Sequence, residues 1–115
     1  MDFCRREGIA VEAYSPLGVG KLLDDAAIAA VAAAHGATAA QVALRFCLQN
    51  GIVPLPKSVT PSRITENAEL FGFSLSEKEM AELAARPNTT GTGPDVDNAC
   101  PESRNFTKRD KPVLD

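Results

Sequence analysis

Two short apolar segments, residues 8–15 and 52–55, constrain the fold of this chain more than any other feature of its sequence. The first is rich in apolar and aromatic residues and is closed by Pro16, which is typical of a β-strand. The second contains Pro54 and is followed by Pro56, so it cannot donate a full ladder of backbone hydrogen bonds. Because a long helix-forming stretch separates the two segments, we predict an α/β fold with two parallel strands joined by a helical crossover.

The connection between the strands carries clear helix start and stop signals. It opens with a glycine-containing loop over residues 17–23. Side-chain oxygens at an N-cap accept the first free amides of a helix, and a glycine at the other end adopts the left-handed conformation that stops it. These signals predict two helices: 26–35, capped by Asp24 or Asp25 and stopped by Gly36, and 38–50, opened by the capping box of Thr38 and Gln41.

Two further helices are predicted after the second strand. The first covers about residues 60–70 and has a proline at its first helical position. The second covers about residues 76–86, where Ser76 and Glu79 form a capping box. The composition then changes to proline, glycine, asparagine, threonine and scattered charges, so we predict that residues 87–115 form a loop or a disordered tail.

Composition excludes several classes of protein. The 115 residues carry 12 lysines and arginines against 15 aspartates and glutamates, a net charge of −3, whereas a nucleic-acid binder normally carries a basic excess. With 44% hydrophobic residues and no long apolar run, we expect a globular domain without a membrane span. Cys4, Cys47 and Cys100 show no metal-ligand spacing, and we expect reduced thiols in a cytoplasmic protein.

Two familiar motifs are incomplete. The segment 17–21 contains two glycines and a lysine, but Leu22 replaces the hydroxyl residue of a phosphate-binding loop, and Leu23 replaces the third glycine of a dinucleotide fingerprint. The helix pair is also similar to a DNA-binding helix-turn-helix. Its second helix offers only Arg45 as a cation, so we expect no DNA binding.

The strongest candidate site follows the second strand. Lys57 and Ser58 come after the carboxyl end of that strand, where α/β folds place ligands. A helix start adds free amides and a favourable dipole, and Arg63 adds a planar fork suited to phosphate oxygens. The set of residues that could bind a phosphorylated nucleotide is Lys57, Ser58, Thr60, Arg63, Glu66 and Asn67. The alternative is an ordinary, solvated and capped helix start.

A second candidate segment ends the first strand. The ring of Tyr14 could stack on a flat ligand, and the backbone beyond Ser15 could approach a pyrophosphate. The alternative is a strand-terminal tyrosine that packs in the core. His35 has no partner nearby in the sequence, and we interpret it as a neighbour of the helix C-terminus rather than a catalyst.

Together, several motifs resemble the aldo-keto reductase family. The likeness needs no gap from about Gly8 to Arg86, and its strength lies in separate motifs that occur in the same order. The segments that carry it are EAYSPLG at 12–18, AQVALRF at 40–46, VPLPKSVT at 53–60, ITEN at 64–67 and FGFSLS at 71–76.

The resemblance implies a (β/α)₈ barrel that reduces aldehydes or ketones with NADPH, and this chain would be its C-terminal part, the seventh and eighth βα units. Residues 1–86 would then be a partial oxidoreductase domain, and barrel phosphate sites form after strands 7 and 8. The implied cofactor contacts are Tyr14 on the nicotinamide, Ser15 and Leu17 on the pyrophosphate, Lys57, Ser58, Thr60 and Arg63 on the 2′-phosphate, and Glu66 and Asn67 on adenine.

The segments that resemble the family do not include its catalytic residues. Its catalytic Asp, Tyr, Lys and His come from earlier strands, and neither Tyr14 nor His35 occupies one of those positions. We therefore expect an NADP(H) site without chemistry in this chain alone, and a small carbonyl substrate for a whole enzyme. The alternative is a nucleotide-binding or interaction module of another kind.

Overall fold

The computed structural model describes residues 1–86, and the predicted tail at 87–115 lies outside the described residues. The chain forms five α-helices, two strands and a short 3₁₀ segment within that range. In chain order these are α1 Asp2–Arg6, β1 Val11–Tyr14, the 3₁₀ segment Gly18–Asp24, α2 Ala26–His35, α3 Ala39–Gln49, β2 Ile52–Leu55, α4 Pro61–Ala68 and α5 Glu77–Ala84.

The two strands pair in parallel, with Val11 opposite Ile52 and Tyr14 opposite Leu55. This confirms the predicted α/β arrangement, in which α2 and α3 form the crossover. The first strand is shorter than the predicted 8–15. Its two flanks leave the extended conformation because Gly8 and Ser15 adopt φ values of +65° and +51°.

The crossover helices begin and end as predicted, because their boundaries depend on local hydrogen bonds. Asp25 Oδ1 accepts the amide of Ala27 at 2.9 Å, and Gly36 ends α2 with φ +60°. Thr38 and Gln41 form both bonds of the capping box that opens α3. The loop predicted at 17–23 is instead two short 3₁₀ turns joined at left-handed residues.

The ends of the later helices differ from prediction because tertiary contacts compete with helix continuation. Helix α4 ends at Ala68 rather than about Leu70, whose side chain is buried. Helix α5 ends at Ala84, and the Arg86 side chain forms an ion pair with Asp25 at the start of α2. Helix α1 was not predicted.

Helix α3 is the centre of the core. Its Val42 and Leu44 side chains are 0% exposed, and the helix packs against α2, α4, β2 and the 3₁₀ segment. A cluster of buried apolar residues joins α2, α3 and the loop before α5: Ile28, Val31, Ala32, Val42 and Leu75. This layer covers one face of the sheet only, since residues along both strands alternate between half-buried and exposed.

In residues 1–86, no single helix is long and apolar enough to cross a bilayer. Helices α2 and α3 meet the length and hydropathy criteria only as a pair, and they are bent by 90° against each other.

Candidate functional site

The strand register brings the two predicted site segments to one edge of the sheet. Tyr14 and Leu55 are Cα partners at the ends of parallel strands, so the loops that begin at Ser15 and Pro56 leave from the same edge. This is the edge at which α/β proteins place ligands. The tertiary structure therefore places the loop after β1 next to the loop that carries Lys57 and Ser58.

The loop after β1 holds its backbone in an unusual conformation. Ser15 and Val19 are not glycines, yet both have positive φ values, +51° and +54°. The carbonyl of Ser15 accepts the amide of Gly18 at 2.9 Å, which closes the turn. A left-handed conformation costs a residue with a side chain about 1–2 kcal/mol, and such strain concentrates at functional sites.

Tyr14 lies on the face of the sheet opposite the helices and is 75% exposed. The alternative in which this tyrosine packs in the core is therefore wrong for the described residues. Val53 and Leu55, on the neighbouring strand, are about half exposed and lie on the same face. The Tyr14 ring is accessible to a flat ligand.

The start of α4 differs from a conventional capped helix. Thr60 occupies the N-cap position and Pro61 follows at the first helical position, as predicted, but the Thr60 side chain makes no capping hydrogen bond. The Ser58 hydroxyl instead accepts the amide of Thr60 at 3.2 Å and orders the turn before the helix. Among the described residues, no side chain therefore caps the first-turn amides of α4.

Two cations flank this open helix start. Lys57 and Arg63 are exposed, and neither forms an ion pair with another residue of the range 1–86. With the amides of the first turn, they make this end of α4 electropositive. An anion such as a phosphate group suits the arrangement.

Glu66 and Asn67 lie on the next turn of α4 and are both half-buried. The hydroxyl of Thr38 donates to Oε1 of Glu66 at 2.7 Å, across from the start of α3. Glu66 therefore has a fixed side chain, whereas Arg63, one turn earlier, is exposed to solvent.

A polar stripe on α3, which the sequence analysis did not predict, holds α4 and the segment after it. Its members Thr38, Gln41, Arg45 and Gln49 recur every three or four residues along one helix face. Gln41 Nε2 donates to the carbonyls of Glu66 and Glu69 at 3.2 Å each, Arg45 donates to the Leu70 carbonyl and the Ser74 hydroxyl, and Gln49 exchanges two hydrogen bonds with the backbone of Leu75. The spacing was visible in the sequence, but its partners were not.

His35 has a partner that is distant in the sequence. Its Nε2 lies 2.9 Å from Oε1 of Glu79 on α5, and its ring lies against Phe73 with centroids 5.4 Å apart. The pKa of Glu79 is lowered to about 2, first by the backbone amide and the hydroxyl of Ser76 and then by His35. This pair joins two helices and is not part of the candidate site.

Two other features involve none of the predicted cofactor contacts. A cavity of about 460 Å³ opens on the helix side of the sheet, lined mainly by apolar residues such as Leu22, Phe46 and Leu83. Cys4 and Cys47 form no disulfide within residues 1–86, and burial raises the pKa of the Cys47 thiol. Within residues 1–86 no three potential metal ligands come together, and Cys100 lies outside this range.

Comparison with known proteins identifies relatives along most of the chain. The sequence is 43% identical over 96 residues to the glyoxal reductase of Bacillus subtilis strain 168, covering 84% of this chain and 35% of that protein. It is 52% identical over 88 residues to an aldo-keto reductase of Mycobacterium sp. strain MCS, covering 76% of this chain and 31% of the relative. The chain thus spans about a third of the length of the curated relatives it matches.

Solved structures are similar to most of the chain. The crystal structure of a Gox0644 mutant in complex with NADPH superimposes with a TM-score of 0.78 at 37% identity, covering 86% of this chain and 37% of that one. The apo form of Gox0644 gives a TM-score of 0.76 at 38% identity, covering 82% and 35%. The sequence model of the aldo/keto reductase family matches residues 1–86, the whole described range. The parallel two-stranded unit and its crossover helices agree with these similarities. Because the family model matches most of the sequence, the chain belongs to the aldo/keto reductase family.

Proposed function

We propose that residues 1–86 form the cofactor-binding part of an NADP(H)-dependent oxidoreductase of aldo-keto reductase type. The observation that carries the proposal is the open start of α4, where the first-turn amides have no side-chain cap and the exposed cations Lys57 and Arg63 form no ion pair within residues 1–86. A 2′-phosphate is a dianion that fits such a site, and it distinguishes NADP(H) from NAD(H). The structure of a relative with NADPH supports the same cofactor for this chain.

The proposed contacts divide between the two loops that leave the shared edge. Residues of the second loop and of α4 would bind the adenosine end, and residues of the first loop would bind the nicotinamide end. The full assignment is Lys57, Ser58, Thr60 and Arg63 for the 2′-phosphate, Glu66 and Asn67 for adenine, Ser15 and Leu17 for the pyrophosphate, and Tyr14 for the nicotinamide ring.

We further propose that the two strands are the seventh and eighth of a (β/α)₈ barrel. Exposed Tyr14, Val53 and Leu55 would then face the barrel interior, which explains why large side chains lie on the uncovered face of the sheet. In such an enzyme the bound cofactor supplies a hydride to the carbon of an aldehyde or ketone. The residues of this chain would orient the cofactor, while the proton donor would come from a tyrosine outside these two units.

This chain by itself is proposed to bind the cofactor without turning over a carbonyl substrate, because no residue in it corresponds to the family's catalytic Asp, Tyr, Lys or His. Its cytoplasmic location remains a prediction from the free cysteines. The alternative of an unrelated interaction module is not favoured, since the chain belongs to an oxidoreductase family.

The test is cofactor binding by the 115-residue chain, measured by isothermal titration calorimetry with NADPH and NADH. Arg63→Ala should weaken NADPH binding by about ten- to a hundredfold, the value of one charge-assisted hydrogen bond to phosphate, and leave NADH nearly unchanged. Arg6→Ala is the matched control, since Arg6 is also an exposed arginine but lies on α1. Equal losses for both cofactors, or no binding by the unmodified chain, would contradict the proposal.

A further inference from the structure

We propose that Thr38 is a positioning residue, which holds Glu66 so that the site prefers a base with an exocyclic amino group, adenine over hypoxanthine. This inference rests on the proposed function, because it assumes that a nucleotide lies along α4. Thr38 itself is the N-cap of α3, 28 residues earlier in the chain, and would act on the nucleotide through Glu66.

The hydroxyl of Thr38 makes two hydrogen bonds within residues 1–86. Its oxygen accepts the Gln41 amide at 3.2 Å as the N-cap of α3, and its proton goes to Oε1 of Glu66 at 2.7 Å. Since a hydroxyl has a single proton to donate, the capping bond fixes the oxygen and leaves the proton directed at the carboxylate. The orientation of Glu66 is therefore linked to the start of α3.

Gln41 holds the backbone of the same residue. Its Oε1 accepts the Thr38 amide at 3.0 Å, and its Nε2 donates to the carbonyl oxygens of Glu66 and Glu69 at 3.2 Å. The two residues of the α3 capping box thus form hydrogen bonds with both the main chain and the side chain of Glu66. A glutamate on the surface of an eight-residue helix would otherwise sample several rotamers.

These hydrogen bonds determine which further hydrogen bonds Glu66 can make. With Oε1 bonded to Thr38, Oε2 has no hydrogen-bond partner among residues 1–86. An ionised carboxylate only accepts hydrogen bonds, so the complementary group on a ligand is a donor. The amino group of adenine is such a donor, whereas hypoxanthine presents a carbonyl oxygen at the same position, which the carboxylate repels.

The experiment compares the binding of adenosine 2′,5′-bisphosphate and inosine 2′,5′-bisphosphate to the full 115-residue chain by calorimetry. Thr38→Val should weaken binding of the adenosine ligand by about tenfold and change binding of the inosine ligand by less than about twofold. The preference for adenine should therefore be lost. Thr38→Ser, which keeps both the cap and the donated proton, should restore the preference. In a Glu66→Ala background, Thr38→Val should have no further effect.

Ser76→Ala is the control that distinguishes the loss of a helix cap from the loss of Glu66 positioning. This variant removes the equivalent capping box of α5, a different helix from the one that carries Glu66, and should lower the melting temperature without altering base preference. Equal weakening of both ligands by Thr38→Val, or an undiminished effect in the Glu66→Ala background, would overturn the inference. If the unmodified chain binds neither ligand, both the proposed function and this inference are contradicted. If binding depends on Arg63 but not on Thr38, only this inference is contradicted.

Discussion

Nε2 of His35, at the end of α2, lies 2.9 Å from Oε1 of Glu79 in the first turn of α5. The other carboxylate oxygen accepts the amide and the hydroxyl of Ser76 at 2.7 Å each. One glutamate therefore completes the cap of its own helix and joins that helix to another that is 44 residues away in the sequence. Because Phe73 lies against the same histidine ring, this contact fastens the last described helix onto the core.

The first prediction is that Glu79 makes the stability of the chain depend on acidic pH. Its pKa falls from the ordinary value of 4.5 to about 2 in the folded chain. Between these values the unfolded chain binds a proton that the folded chain does not. The stabilisation is therefore fully present above about pH 4.5 and is lost as the pH falls towards 2.

Urea denaturation at pH 6, 4 and 3 measures this effect. Glu79→Gln should flatten the decline of the unfolding free energy between pH 4.5 and 2, because the amide does not titrate in this range. Glu77→Gln, in the same helix turn but exposed, should retain the decline of the unmodified chain. A Glu79→Gln variant with an unchanged pH slope would show that the carboxylate is not engaged in the folded state.

The second prediction concerns the centre of the core. Leu44→Ala should lower the free energy of unfolding by about 2–5 kcal/mol, because a fully buried side chain leaves a cavity between α3 and its neighbours. Leu23→Ala is the control, since Leu23 is 40% exposed in the 3₁₀ segment and should cost much less. Thermal and urea unfolding followed by circular dichroism give both values. Similar losses for the two variants would contradict the central position of α3.

The third prediction tests the turn between α2 and α3. Gly36→Ala should cost about 1–2 kcal/mol, because φ at this position is +60° although a Cβ would meet nothing within 4 Å. The penalty is therefore conformational and not steric. Gly72→Ala provides a control with equally open space and no positive φ, and its unfolding free energy should stay within about 0.5 kcal/mol of the unmodified chain. A neutral Gly36→Ala variant would refute the left-handed stop.

The fourth prediction separates binding from folding at Tyr14. Because this ring is 75% exposed, Tyr14→Ala should change the free energy of unfolding by less than about 0.5 kcal/mol. If the ring stacks on the nicotinamide, the same variant should weaken NADPH binding by about three- to tenfold. Binding of adenosine 2′,5′-bisphosphate, which lacks the nicotinamide, should be unchanged. A large loss of stability, or equal weakening of both ligands, would place the ring elsewhere.

Local features of the sequence were sufficient to predict most element boundaries. Asp25, Gly36 and the capping boxes at Thr38 and Ser76 act through hydrogen bonds and backbone angles within a few residues, so their effect does not depend on the rest of the fold. The parallel pairing of the strands was also predictable, since a long helical connection between two short strands favours it. The resemblance to the aldo-keto reductases was equally accessible from ordered motifs.

The sequence by itself thus determined both strands, the helices from α2 onward, their order and the family, whereas the tertiary structure decided which distant side chains meet. Thr38 with Glu66, and His35 with Glu79, are pairs separated by 28 and 44 residues. The exposure of Tyr14 likewise depends on which face of the sheet the helices cover. Capping and helix periodicity act over three or four residues, but these contacts exist only after the crossover helices pack on the sheet, because packing alone sets the distance between residues on different elements.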